Sequence, residues 1–424
     1  MTNGACLDAL KDMQEIKQEI ILQKVILYGI CGLGSGHRTR AIPVIEYLIN
    51  ANYHVIIVSH GQESMRSLKA KFSNQLEHVT FIQVNNPYLP GSQDGVDLAQ
   101  AAANPANAEL TWRDTINAMA EIKRAIGNRP LRLVISDYEQ VVAQYAYMHR
   151  VKRFMTYDQQ SKYLVGDFPE KLGETSYIDE VQRLSMFFPT ATARLAISFF
   201  RVWYRWTNIE VEILPPMIKP EILNLAAKIK ETEDDVVHME TKTNNHILVY
   251  LTNASQGCGD KEGQVAAQCA QQWIDVLERF VSPKTTIVVY MPAFLTNSIT
   301  SANVIVKKCG TQDFYDDLGR CNGVISTAGH MLLSECMYLR KPVLALAIPT
   351  LYEQQMNAKA VHDGGFGLGV HNLTLTDHHV NVFMTNLDKH RQAIKDDETK
   401  GEASLLMHGT GNEQIFKFID NLLK

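Results

Sequence analysis

Residues 323–369 read GVISTAGHMLLSECMYLRKPVLALAIPTLYEQQMNAKAVHDGGFGLG, and the order of the parts decides how the chain is read. Gly323–Ser326 is a short apolar strand that enters a turn of small residues, Thr327-Ala328-Gly329. A helix follows over 330–340 and stops at Lys341-Pro342, because proline cannot continue it. A second apolar strand, 343–348, ends at Pro349, and another helix begins near Gln354. The first turn brings free backbone N–H groups at a helix N-terminus to the carboxyl end of a strand, an arrangement that favours an anion, most often a phosphate. Small residues let such a group approach the backbone. Ser326, Thr327, Ala328, Gly329 and the His330 imidazole are therefore the candidate phosphate contacts. Glu335 lies one helical turn on, where a carboxylate suits the paired hydroxyls of a ribose. Glu353 and Gln354 end the next strand with groups suited to sugar hydroxyls, and Asn357 follows on the helix. Phosphate, ribose and sugar recognition in one βαβα unit points to a site for a nucleotide sugar.

The same punctuation opens the chain. Lys24–Ile30 is an apolar strand, CGLGSGHRTR follows at 31–40, and a helix over 41–50 leads to a second strand at 54–59. This is the start of a doubly wound sheet. It is not a dinucleotide fingerprint: the glycines at 32, 34 and 36 run G-x-G-x-G, and the second strand ends in Ser59-His60-Gly61 with no carboxylate for a ribose. Further strands are expected at 79–84, 131–136, 153–156 and 195–200, with a helix over 108–125. Beyond a proline-rich boundary at 213–220, strands are expected at 247–251 and near 286–290, 303–307, 323–326, 343–348 and 366–370. Strand–helix alternation in both halves gives an α/β chain of two doubly wound, Rossmann-like domains, whose ligands belong at the carboxyl ends of the strands.

In order around 323–369 lie S-x-A-G, a glutamate six residues later, K-P, E-Q-x-x-N-A and G-G. With them the chain resembles the donor-binding half of GT-B glycosyltransferases, near the murein N-acetylglucosaminyl transferases and galactolipid synthases (the family 28-like group). Its first turn is similar to their G-x-G-H-x-x-R. Thr252–Gly257 resembles their G-G-S-Q-G loop, with Asn253 and Ala254 in place of glycines. The resemblance implies a GT-B fold and an inverting transfer of sugar from a nucleoside-diphosphate sugar, a uridine donor first, to a hydroxyl-bearing acceptor. It implies no cofactor and no metal, and places Ser255, Gln256 and Gly257 on the diphosphate. His37 is the expected general base, since a neutral imidazole titrates near working pH. Asp137, a hundred residues on, is its expected partner, as in the His–Asp dyad of plant and antibiotic relatives. Gly36, Arg38, Asp158 and Gln159 are candidate phosphate or acceptor contacts, and Arg40 is a diphosphate ligand or a surface arginine.

The domains expected are a helical extension over 1–22, an acceptor-side domain over 23–216, a linker over 217–245, a donor domain over 246–410 and a last helix over 411–424 that can return to the first domain. The stretch 85–107 is expected to be an acceptor-side loop, 228–242 an exposed charged segment, and Asp234-Asp235 and Asp316-Asp317 exposed charges. A net charge of −5 gives no reason to expect nucleic acid as partner. Seven scattered cysteines without zinc spacing, and the absence of any long apolar run or signal pattern, suit a cytoplasmic protein. The aromatic run at 187–206, interleaved with arginines, is read as packing rather than as a peripheral membrane contact. The acceptor stays open among saccharide, lipid and small molecule. Two other readings keep the fold: a nucleotide-sugar 2-epimerase, and a non-catalytic sugar-nucleotide or glycan binder.

Overall fold

A computed structural model describes residues 23–424 apart from 33, 85–90, 93–94, 97–102, 104, 189–190, 236–244 and 252–259. The expected extension over 1–22, most of the loop over 85–107 and the Ser255-Gln256-Gly257 contacts lie outside the described residues.

The first sheet is built from β1 (Val25–Ile30), β2 (His54–His60), β3 (Val79–Val84), β4 (Leu131–Asp137), β5 (Phe154–Asp158), β6 (Ala193–Ile197) and β7 (Glu212–Leu214). They lie side by side in the order β7-β6-β5-β4-β1-β2-β3, and every pair is parallel. A parallel sheet is covered on both faces, which is why β1 is apolar without alternation. Ile26, Tyr28 and Ile30 enter one hydrophobic cluster, Val25 and Leu27 the other. The helices that matter for the site are α1 (Gly36–Asn50), α2 (Gln62–Lys71), α3 (Pro105–Ile126), α4 (Gln140–Met148) and α5 (Tyr177–Phe187).

A second parallel sheet runs β10-β9-β8-β11-β12-β13, from β8 (Asn245–Tyr250), β9 (Thr285–Met291), β10 (Ile305–Lys308), β11 (Gly323–Thr327), β12 (Val343–Leu346) and β13 (Gly367–Val370). Its neighbours include α6 (Pro220–Asp235), α7 (Asp260–Leu277), α8 (Ala293–Thr296), α9 (Asp313–Arg320), α10 (His330–Tyr338), α11 (Tyr352–Asp363), α12 (Asp377–Thr385) and α13 (Leu387–Glu398). The last helix, α14 (Asn412–Leu423), lies on the first domain: Ile415, Ile419 and Leu423 are buried in its core, Phe416 stacks on Tyr47 at 4.3 Å, and Arg132 donates to the Leu423 carbonyl at 3.0 Å.

Three readings of the sequence are refined or corrected. The charged stretch from Lys228 is helical as far as Asp235, where it belongs to α6; Lys228 is exposed, and the helix packs on the second domain through Ile222, Leu223, Leu225, Ala226 and Ile229. Helical spacing of these apolar residues outweighs the charges between them. Residues 198–200 are not strand, because the chain leaves β6 to place Phe199, Phe200 and Val202 in the core of the second domain. Asp317 is not an exposed charge: it is buried and accepts hydrogen bonds from Lys307 Nζ and Tyr290 Oη, each at 2.7 Å.

The glycine-rich turn after β1 holds two different constraints. A Cβ on Gly32 would lie 1.8 Å from the His60 carbonyl oxygen, so the turn passes hard against the end of β2. Gly34 has open space but a φ of 75°, the left-handed region that penalises side chains. Gly32→Ala is therefore expected to cost about 1–3 kcal/mol through overpacking, and Gly34→Ala about 1–2 kcal/mol through backbone strain alone. Urea unfolding of both variants tests the ranking; equal stability of Gly32→Ala and wild type would refute the close approach.

Candidate active site

Parallel register brings the two ends of the first-domain site together. Ile30 of β1 pairs with Asp137 of β4, and the Cys31 amide donates to the Asp137 carbonyl at 2.9 Å. The chain then turns through its glycines into α1, where His37 and Arg40 stand three residues apart on one helical face. Both reach Asp137. His37 Nδ1 lies 2.7 Å from Asp137 Oδ1, and Arg40 Nε donates to Asp137 Oδ2 at 2.7 Å. Arg40 Nη2 also donates to Oδ1, so that Nδ1 and Nη2 converge on one oxygen with 2.6 Å between them. Arg40 and Asp137 are both 0% exposed. Arg40 is thus neither a surface residue nor a phosphate ligand; its planar fork grips the carboxylate from two sides. His37 Nε2 has no hydrogen-bond partner among the described residues.

The electrostatics follow from this three-body contact. Burial alone would raise Asp137, but Arg40 and His37 outweigh it and hold the carboxyl below its ordinary range. Burial disfavours charge on His37; Cys31 and Asp137 favour it and Arg40 opposes it, and the sum carries the imidazole up to about 10. The residue after the aspartate, Tyr138, adopts φ 53°, a conformation that costs a non-glycine residue about 1–2 kcal/mol. It is held there by its hydroxyl donating to Glu180 Oε1 at 2.6 Å.

The second domain presents α10 to this group. A Cβ on Gly36 would come 3.3 Å from Met331 Cγ, and Met331 joins the core of the first domain. The turn before α10 is tighter than the sequence suggests. The Ala328 amide donates to the Leu346 carbonyl at 2.9 Å, the Gly329 amide to Thr327 at 2.7 Å, and Ser326 Oγ to the Thr327 carbonyl at 2.6 Å. These three expected phosphate donors are already engaged; the first-turn amides of α10, starting at His330, remain, because Gly329 supplies no side-chain cap. A side chain on Gly329 would meet open space. Thr327 is buried at the end of β11. His330 is 2% exposed, burial depresses its pKa well below the usual value, and its Nε2 has no partner among the described residues.

Glu335 is buried on α10 with Oε1 2.9 Å from Lys219 Nζ, so a linker cation balances the carboxylate. Glu353 accepts from Gln160 Nε2 of the first domain and from Asn357 Nδ2, each at 3.2 Å. Asn357 Nδ2 also donates to the Ala328 carbonyl at 3.0 Å, tying the turn before α10 to α11. Gln354 Oε1 accepts from the Ile348 amide at 3.1 Å, which leaves only its NH2 end for a ligand. Arg38 is partly buried beside Glu63 of the first domain and Tyr250 of the second, and burial lowers its pKa. Gln159 Oε1 lies 3.4 Å from Arg40 Nη1 and supports the guanidinium. Asp158 is not an acceptor contact. It is fully buried, Oδ1 accepts from the Gln160 and Ser161 amides at 2.9 and 2.6 Å, and Oδ2 accepts from Ser161 Oγ at 2.8 Å, so it caps the turn over 161–164. Among the described residues no cluster of three or more His, Cys, Asp or Glu is arranged to hold a metal ion, and no helix is long and apolar enough to cross a membrane.

Two residues of this site have roles that the sequence reading missed. Arg40 had a visible signal, the three-residue spacing from His37 on one helix. Lys162, fully buried beside the cleft, had none.

Comparison with known proteins agrees with this architecture. The family described as "Glycosyl transferase family 1" matches residues 24–388. An uncharacterised glycosyltransferase of Methanopyrus kandleri is 47% identical over 49 residues, a match that spans 12% of this chain and 14% of that relative. MurG of Acinetobacter baumannii superimposes with a TM-score of 0.54 at 15% identity, over 94% of this chain and 99% of MurG. UGT2 of Phytolacca americana, solved with UDP-2-fluoroglucose and pterostilbene, gives a TM-score of 0.55 at 11% identity over 94% of this chain and 99% of UGT2. At these identities the likeness is one of fold: two Rossmann-like domains facing across a cleft, the GT-B arrangement.

Removing the Asp137 carboxylate strands the buried Arg40 charge. Asp137→Ala is expected to lower stability by about 3–5 kcal/mol, read as the urea midpoint at neutral pH. A loss below about 1 kcal/mol would show that the pair does not hold α1 on the sheet.

Proposed function

The chain belongs to glycosyl transferase family 1, and from that premise we propose that it transfers a sugar from a nucleoside-diphosphate sugar to a hydroxyl-bearing acceptor, with inversion and without a metal. The observation that carries the reading is the His37–Asp137 contact at 2.7 Å with Nε2 unbonded among the described residues, set against the N-terminus of a helix from the other domain. With the Nδ1 proton donated to Asp137, Nε2 keeps its lone pair and takes the proton of the acceptor hydroxyl as the oxygen attacks the anomeric carbon. Asp137 stabilises the imidazolium that forms. The diphosphate leaves from the opposite face, so a single displacement inverts the centre. Its growing charge meets the first-turn amides and the dipole of α10, a source of stabilisation that needs no metal ion. Glu335, held by Lys219, is assigned to the ribose. Glu353, Gln354 and Asn357 are assigned to the transferred sugar, Arg38 to phosphate, and Ser255, Gln256 and Gly257 to the diphosphate. Uridine is the base to test first, since UGT2 was solved with UDP-2-fluoroglucose; the acceptor is any alcohol of saccharide, lipid or small-molecule type.

Thermal shift of the purified chain against UDP, dTDP, GDP, ADP and CMP, each with EDTA, tests the donor. A ligand that binds only the folded state raises the melting temperature by mass action, and the expected result is a shift with one nucleoside diphosphate that EDTA does not diminish. No shift with any of them at millimolar concentration would overturn the donor reading. His37→Ala is expected to keep that shift while losing transfer by about 100-fold or more; retained transfer would remove His37 from the base role.

The pH profile gives a third check. The base works only when neutral, so kcat/KM climbs as pH rises through the free enzyme's His37 value. With that value raised from 6.5 to about 10, the ascending limb is expected well above 6.5. An ascending limb at or below 6.5 would contradict the Asp137-stabilised imidazolium in the empty site.

A further inference from the structure

A lysine with no ion-pair or hydrogen-bond partner among the described residues is buried where the domains meet. Lys162 lies in the short turn after β5, is 0% exposed, and its Nζ has no hydrogen-bond partner among the described residues. The ammonium sits 4.9 Å from the centre of the Phe200 ring and 5.2 Å from that of Tyr163, with cation–π attraction in place of an ion pair. The carboxylates that act on it are Glu353, Asp158 and Glu180, and all three are occupied. Glu353 accepts from Gln160 and Asn357, Asp158 caps its own turn, and Glu180 takes Tyr138 and Arg183. His330 at the start of α10 has its pKa lowered by burial and then by the charge of Lys162, and likewise has an unpartnered buried nitrogen among the described residues. An isolated buried ammonium is costly unless something pairs with it.

Resting on the donor reading above, we propose that Lys162 is a donor-binding residue whose ammonium pairs with an oxyanion of the nucleotide sugar. It would bring a first-domain cation to the anion that α10 meets from the second. The anion is either the diphosphate, beside the helix N-terminus, or a carboxylate on the transferred sugar, beside Glu353. His330, neutral, adds Nε2–H as a second donor. Burial lowers Lys162 to about 8 while Glu353 and Asp158 hold it up, so the ammonium form predominates at neutral pH and an arriving oxyanion stabilises it further. A lysine supplied from the opposite domain also ties tight donor binding to closure of the cleft.

The test compares wild type, Lys162→Met and Lys162→Arg by calorimetric titration with UDP, UDP-glucose and UDP-glucuronate at pH 7, alongside the melting temperature without ligand. The expected result is that Lys162→Met binds all three about tenfold or more weakly, the loss of a charged hydrogen bond, and that Lys162→Arg recovers most of it; this assigns the diphosphate. Weakening confined to UDP-glucuronate assigns the sugar carboxylate instead. Removing an unpaired buried charge leaves the fold intact or more stable, so the unliganded melting temperature of Lys162→Met is expected not to fall. Wild type binding with Lys162→Met equal to it would overturn the inference and leave the donor site standing. A lower melting temperature with unchanged affinity would make Lys162 a structural counter-charge to Glu353, which also overturns it. Wild type that binds none of the three would sink the donor reading itself.

Discussion

The first-domain site rests on a buried ion pair between residues 97 apart, Arg40 on α1 and Asp137 at the end of β4. Neither group is exposed, and a carboxylate removed from water is unfavourable unless its lone pairs are filled and its charge balanced. The guanidinium does both with two nearly parallel donors, which a lysine could not reproduce. The pair fixes the rotation of α1 about its axis. That rotation places His37, one turn earlier on the same face, on the third approach to the carboxylate. It also sets Gly36 against Met331, so the orientation of one helix by one ion pair reaches the domain interface.

The opposite wall of the cleft carries polar ties beside the apolar packing of Phe199, Phe200 and Met331. Asn357 holds the turn before α10, Glu353 accepts from Gln160 across the interface, and Tyr352 Oη donates to the Pro169 carbonyl at 2.6 Å. These contacts are directional, so they specify one relative placement of the domains, and each leaves part of its group available to a ligand. The Glu353 carboxylate has further lone pairs, and Gln354 has its NH2. An interface built in this way can exchange a protein partner for a sugar hydroxyl at small net change in hydrogen bonding.

Much of the fold was legible because its signals are local. Apolar strands covered on both faces, glycines where the backbone meets a neighbour, and Lys341-Pro342 after α10 each mark a boundary within a few residues. His37 and Asp137 were legible as ends of strands in one sheet. What escaped needs three-dimensional bookkeeping. Arg40 looked like a first-turn surface arginine, since nothing near it in sequence announces that β4 delivers a carboxylate. Asp158 looked like a free strand-end acid because its role as cap is defined by the three residues after it. The amides of Ala328 and Gly329 looked available because the strand that occupies the first, β12, is known only from pairing. Lys162 had no signal at all: an isolated lysine between polar and aromatic residues reads as surface, and only the meeting of two domains buries it.

Arg40 also tempers the pull of the buried aspartate on its histidine. Burial disfavours the imidazolium, Asp137 favours it and Arg40 opposes it, and the net result is still a rise of His37 to about 10. Arg40 shares that carboxylate and sits 2.6 Å from Nδ1, so it repels the imidazolium directly while drawing charge away from its counterion. The hydrogen bond that orients Nδ1 survives this competition, because it is a contact between neutral imidazole and carboxylate as much as between ions. Orientation and basicity are thereby separated: Asp137 supplies the first, and the balance of Asp137 against Arg40 sets the second.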